Sequence, residues 1–231
     1  MSVKTLSNTA LDLSTLSVRE VNRILHAAED GAFTVLHPNG AHALACGLNA
    51  PIDVSIQGHA GYYCAGMNKA ASVTIDGTAG TGLAENIMSG TVRVTGDASQ
   101  SAGASGHGGL VVIEGDASAR CGISMKGVDI VVGGSVGHMS AFMAQSGILA
   151  VLGDAGEALG DSIYEAHLYV RGKVAGLGAD CVEKEMRPEH IAELRALLDR
   201  AGYPDVDATT FRRYGSARTL YHFHVDNVGT Y

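Results

Sequence analysis

Ser72-Val-Thr-Ile-Asp-Gly77 is followed nineteen residues later by Thr91-Val-Arg-Val-Thr-Gly96, and nineteen later again by Leu110-Val-Val-Ile-Glu-Gly115. The step continues through Gly134, Gly153 and Gly172, and backwards to Gly58, without insertion. Four residues before each glycine the column is aliphatic (Val54, Val73, Val92, Val111, Ile130, Leu149, Leu168). Two before it the column is β-branched (Ile56, Ile75, Val94, Ile113, Val132, Val151, Val170), and two after it is small (Ala60, Ala79, Ala98, Ala117, Val136, Ala155, Val174). Apolar residues at every second position mark a strand with one buried face. A unit of nineteen residues cannot bury that face alone, but it can if each strand lies on the equivalent strand of the next unit, about 4.8 Å away. The repeat therefore predicts an all-β fold, a parallel β-helix of about seven coils over residues 51–179. It should be right-handed, as parallel crossovers nearly always are.

Finer expectations follow from the columns. The glycine, often followed by aspartate (Asp97, Asp116, Asp154), reads as turn chemistry, with φ > 0 and capping of local amides. The seventh residue after it is always alanine or glycine, from Ala65 to Ala179, which predicts a tightly packed corner. Alternation puts Val112 on the face opposite Val111 and Ile113, so aspartate should be tolerated better at Val112 than at either neighbour.

Residues 1–50 read as a capping segment. Its start is polar and extended; the capping box Ser17-Val-Arg-Glu20 then opens a helix with Val18, Val21, Ile24 and Leu25 on one face, ending near Asp30-Gly31. This segment plugs the first coil, whose strand edge and core would otherwise be open. In residues 180–231 Pro188 opens a second helix, Ile191, Leu194, Leu197 and Leu198 form its apolar face, and Gly202 ends it. The last 31 residues carry six of the twelve aromatics (Tyr203, Phe211, Tyr214, Tyr221, Phe223, Tyr231), a tail that docks on its own rod or on another chain.

The formal charge of −8 argues against nucleic acid and anionic membranes as partners. No apolar run reaches the roughly eighteen residues needed to span a bilayer, and Met1-Ser-Val-Lys-Thr5 lacks the pattern of a signal peptide. The four cysteines form no CxxC pair, and Cys64 and Cys121, in one column, lie three coils apart, too far to bridge. These features point to a reduced, cytoplasmic protein.

No catalytic, metal or cofactor site emerges. His222-Phe-His224 would put two imidazoles on one strand face, but no third ligand stands near, and ordinary polar residues are the commoner reading. The glycines lead into more strand, whereas a phosphate loop opens a helix. Calcium-binding coils need a nonapeptide that is absent, no spacing fixes a carboxylate partner for His107 or His138, and nothing lowers the pKa of Cys121. The stretch five to eleven residues after the turn glycines is different: it mixes methionine, aromatic and isolated charge. It is either a second inward strand or a partner surface, and that composition favours the surface. The candidate subunit interface is Tyr62, Tyr63, Met67, Glu85, Asn86, Met88, His107, Met125, Lys126, Phe142, Met143 and Tyr164.

The glycine pattern Gly77-Thr-Ala-Gly80-Thr-Gly82 and the block from Gly96-Asp-Ala98 to Gly106-His-Gly-Gly109 resemble the C-terminal β-helix domain of the glutamate synthase large subunit. Gly61-Tyr-Tyr-Cys-Ala-Gly-Met67, Ala84-Glu-Asn-Ile-Met-Ser-Gly90, Cys121-Gly-Ile-Ser-Met-Lys-Gly127, Gly137-His-Met-Ser-Ala-Phe-Met143, Gly160-Asp-Ser-Ile-Tyr-Glu165 and Arg213-Tyr-Gly-Ser-Ala-Arg218 narrow the likeness to β-helix subunits of N-methylglutamate synthase. A weaker kinship is with the β-helix subunit of formylmethanofuran dehydrogenase. The resemblance implies a non-catalytic structural chain. Its partners would be a glutaminase-like amidotransferase subunit and an FMN-binding barrel subunit, which would hold the flavin and any iron–sulfur cluster. The assembly would convert methylamine and L-glutamate to N-methyl-L-glutamate and ammonia. The alternatives are a structural subunit of another glutamate-synthase-like complex and an independent β-helix acyltransferase. Eighteen-residue hexapeptide coils make the acyltransferase a poor match to a period of nineteen.

Overall fold

In the computed structural model, which describes residues 8–218, the glycine-closed strands stack in the predicted register. Strands β3 (Asp53–Gln57), β4 (Ser72–Asp76), β5 (Thr91–Val94), β6 (Leu110–Ile113), β7 (Lys126–Val132), β8 (Ser146–Val151) and β9 (His167–Val170) pair in parallel, each on its neighbour in sequence. Val54, Val73, Val92, Val111, Ile130, Leu149 and Leu168 lie one on the next, as do Ile56, Ile75, Val94, Ile113, Val132, Val151 and Val170. The small column from Ala60 to Val174 forms a second line of parallel bridges. The chain is a right-handed parallel β-helix, and the two aliphatic ladders form its buried interior.

The stacking glycines differ from the expectation in their reason. Of the seven, only Gly58 (+124°) and Gly77 (+157°) have φ in the positive region. The others are glycine because each lies directly on the glycine of the coil before, so that a Cβ on Gly153 would stand 2.6 Å from the carbonyl carbon of Gly134. Nor are the aspartates beside them local caps. Asp97 Oδ1 accepts from the N–H of Asp116 (2.8 Å), Asp116 Oδ1 from Ser135 N–H (2.7 Å), and Asp154 Oδ1 from Lys173 N–H (2.7 Å). Each side chain caps the amide one coil further on.

At the N-terminal end the ladder runs on past the repeat. β1 (Asn8–Asp12) and β2 (Ala32–Leu36) add two parallel strands, so the strand wall itself continues where a separate plug was expected. Helix α1 (Val18–Ala27), with the predicted capping box at Ser17 and Glu20, buries Val21 and Leu25 in the same core. It closes the first corner through side chains that replace a missing coil: Asn22 Nδ2 donates to Ala43 O (2.8 Å), Asn22 Oδ1 accepts from Ala45 N–H (2.8 Å), and His26 Nε2 lies 2.6 Å from Cys46 O.

At the other end β11 (Arg212–Ser216) inserts antiparallel between β9 and β10 (Cys181–Lys184). Phe211 and Tyr214 are buried, so this part of the aromatic tail docks on its own rod; Tyr221, Phe223, Tyr231 and the pair His222 and His224 lie outside the described residues. Helix α2 (Pro188–Ala201), ended by Gly202 in the left-handed region (φ +85°), lies against the outer face of the later coils. Leu194, Leu197 and Leu198 pack there on Val112, Val131, Ala150 and Tyr169. Val112 does face away from Val111, as alternation required, but α2 covers it and it is fully buried, so aspartate there carries a cost of its own that alternation alone did not show. Arg93 Nη2 donates to Ala201 O (2.7 Å) and Arg200 pairs with Asp129 (3.1 Å), fixing the helix end.

Candidate subunit interface

After each turn glycine the backbone alternates between ordinary and left-handed conformations. Residues five, seven and nine positions on all have φ near +50 to +75°: Tyr63, Ala65 and Met67 in one coil, Gly82, Ala84 and Asn86 in the next, and so on to Ala158, Gly160 and Ser162. This corner is not a strand, yet it is hydrogen-bonded coil to coil. Met67 N–H donates forward to Glu85 O (2.8 Å), and Ala84 N–H donates back to Cys64 O (2.9 Å).

The alternation sorts the side chains. Positions six, seven and ten after the glycine point inward: Cys64, Leu83, Ala102, Cys121 and Leu159 are buried in one column, Ile87, Met125, Ala144 and Ile163 in another. Asn68 joins that second column with its amide satisfied, Nδ2 donating to Ala71 O (2.8 Å) and Oδ1 accepting from Ala71 N–H (3.1 Å). The remaining positions point out. Tyr62, Tyr63, Met67, Met88, Met143 and Tyr164 are 41–55% exposed and make up six of the eight exposed large apolar residues among those described. His107 and Lys126 are exposed beside them, and Glu85, Asn86 and Phe142 are half-buried. Met125 is a correction: it is fully buried in the core, because it occupies the inward tenth position. The choice between inward strand and outer surface thus has a mixed answer, residue by residue.

The four cysteines are free, and Cys64, Cys121 and Cys181 are buried. Burial pushes the thiol of Cys121 up to about 12 and that of Cys181 up to about 11. Iodoacetamide at pH 8 should therefore leave Cys64 and Cys121 unmodified in the folded chain and label them once urea opens the rod. Rapid labelling of native Cys121, read by mass spectrometry, would contradict its place in the core. Among the described residues no three His, Cys, Asp or Glu side chains are placed to hold a metal, and no helix is long and apolar enough to cross a membrane.

A second polar cluster lies where α2 crosses β9. His167 Nδ1 is 2.8 Å from Glu193 Oε2, and the Tyr169 hydroxyl donates to the same oxygen. Burial raises the pKa of Glu193, but the bonds from Tyr169 and His167 outweigh it and hold the carboxyl below its usual range. His190 stacks edge-on to His167 at 5.8 Å; burial and the nearby Arg213 both lower its pKa. No spacing in the sequence announced this cluster. Its members come from β9, α2 and β11.

The chain is 59% identical over 225 residues to Protein GlxC of Rhizobium meliloti (strain 1021), a match that spans 96% of this chain and 99% of that protein. No family profile and no solved structure matches it.

Proposed function

The chain belongs to the family of Protein GlxC, and from that premise we propose that it is a non-catalytic structural subunit of a glutamate-synthase-like complex, in particular of N-methylglutamate synthase. It braces a glutaminase-like amidotransferase subunit and an FMN-binding barrel subunit, which together form N-methylglutamate from methylamine and glutamate. The flavin belongs to the barrel partner, so this chain purified alone is colourless.

The observation that carries this reading is the row of exposed tyrosines and methionines on the corner. At the ninth position after the turn glycine the backbone is left-handed, which suits short polar side chains, asparagine above all. Four units comply, with Asn86, Ser105, Ser124 and Ser162, while Met67 and Met143 stand exposed at the same backbone angle. Nothing in the folding of the rod calls for methionine there. Contact with a partner does: methionine and tyrosine are enriched in interface cores.

The test uses that backbone angle. Aspartate tolerates the left-handed region better than methionine, so a chain carrying both Met67→Asp and Met143→Asp should keep its urea midpoint or raise it. Copurification with the barrel subunit should fall at least tenfold. Full retention of the partner by the folded double variant would move the interface elsewhere, and unfolding would show that the methionines support the rod.

A further inference from the structure

Beyond Tyr164, at the C-terminal end of the corner row, an open cleft of about 440 Å³ runs between the start of β9 and the end of β11. Tyr164, His167, Lys184, Arg213, Ser216 and Arg218 line it, with Glu165. The strand pairing makes it: Arg213 lies opposite Tyr169 on one side and Lys184 on the other, which sets these three side chains next to one another. We propose that this cleft is a binding site for an oxyanion of the carboxylate type, brought either by a free small carboxylate or by an acidic side chain of a docked protein; the second source rests on the function proposed above.

Charge is the first argument. The chain as a whole carries 24 acidic against 16 basic side chains, yet of the four formally charged residues lining the cleft three are cations, Lys184, Arg213 and Arg218. The second is incomplete pairing. Arg218 is bound to Asp180 on the lip, and its N–H donates to Ser216 Oγ at 3.2 Å. Neither Arg213 nor Lys184 has an ion-pair partner among the described residues. Arg213 is half-buried; its guanidinium also bonds the Tyr169 hydroxyl, but its Nε is the one buried side-chain nitrogen or oxygen among them with no hydrogen-bond partner. A guanidinium withdrawn from water without a counter-ion is unfavourable, and its planar fork matches a carboxylate. The third is shape. The cleft is open on one side, and the rings of Tyr164 and of His167, the latter held by Glu193 through Nδ1, both line it. An incoming carboxylate would meet cations on the floor and lip with aromatic walls around them.

The experiment uses the full chain with Lys184→Gln and Arg218→Gln together; both lie away from the interior, and Arg213 is left in place because it supports buried Tyr169. In the first arm, sodium glutamate and inorganic phosphate are titrated into wild type and variant against sodium chloride at matched ionic strength, read by calorimetry and thermal unfolding. In the second, both chains are tested for copurification with the barrel subunit, Met67 and Met143 being intact. Saturable binding that weakens at least tenfold in the variant supports a free small carboxylate. No saturable binding, with copurification weakened at least tenfold in the variant, supports a carboxylate borne by the partner. If neither arm distinguishes the two chains, the proposal is overturned, even if the variant on the corner row has abolished docking. If the chain copurifies with nothing, the titration alone decides.

Discussion

Val112→Asp should detach helix α2 and leave the rod standing, whereas Val111→Asp should leave no folded rod at all. Both valines are fully buried; Val111 has only aliphatic neighbours in its column, and Arg93, the strand neighbour of Val112, already bonds Glu114 and Ala201 O. An isolated buried charge is costly enough that the structure yields around it. They differ in what can yield. Val111 stands in the interior ladder between Val92 and Ile130, and a charge there reaches water only by separating the coils. Val112 lies under Leu194, Leu197 and Leu198, and water reaches it once α2 lifts away. Exposing those three leucines costs about 1.5–3 kcal/mol each, an upper bound since the unfolded helix hides some of that surface. The net loss for Val112→Asp should be about 4 kcal/mol. Amide protection should persist in β3–β6 while α2 becomes open to protease. Equal loss of protection in the strands and the helix would mean that α2 is integral to the rod.

That pair also marks where the sequence could be read and where it could not. Inward columns repeat faithfully, so period two and period nineteen suffice for the strands and their register. The outward column was open to the same inspection: Ser55, Thr74 and Arg93 give way to Val112, Val131, Ala150 and Tyr169. A polar-to-apolar change along one outer column is the trace of a helix seated on it, but a single unit taken alone shows only alternation. The corner was harder. Its inward tenth position holds Asn68, Ile87, Gly106 and Met125, residues with no common chemistry, because a left-handed step between them sets their direction and hydrophobicity does not. Met125 was misplaced for that reason. The cleft had no periodic sign at all, since Tyr164, Lys184 and Arg213 meet only through the antiparallel insertion of β11 between β9 and β10.

Gly153→Ala should destabilise the chain by about 3 kcal/mol, the upper end of what one added methyl in a closed site costs. The reason is steric. Its φ is one that any residue adopts, so alanine has no conformational objection. The methyl carbon would stand 2.6 Å from the carbonyl carbon and oxygen of Gly134 and 2.6 Å from Ser135 Oγ. Two of these are backbone atoms held in the coil stack, where Gly153 N–H donates to Gly134 O at 2.8 Å and Gly172 N–H to Gly153 O at 3.0 Å. Turning Ser135 aside leaves the two backbone atoms in place, so the coils must part and these bonds stretch. Gly40 supplies the opposite case: φ is +74°, and a Cβ there meets nothing within 4 Å. Gly40→Ala bears only the left-handed penalty, about 1 kcal/mol. Urea melts of the two variants separate the explanations. A larger loss at Gly40 would show that backbone freedom governs the glycines of this fold. A larger loss at Gly153 would show that the nineteen-residue glycine column is set by the absence of a Cβ where one coil lies on the next.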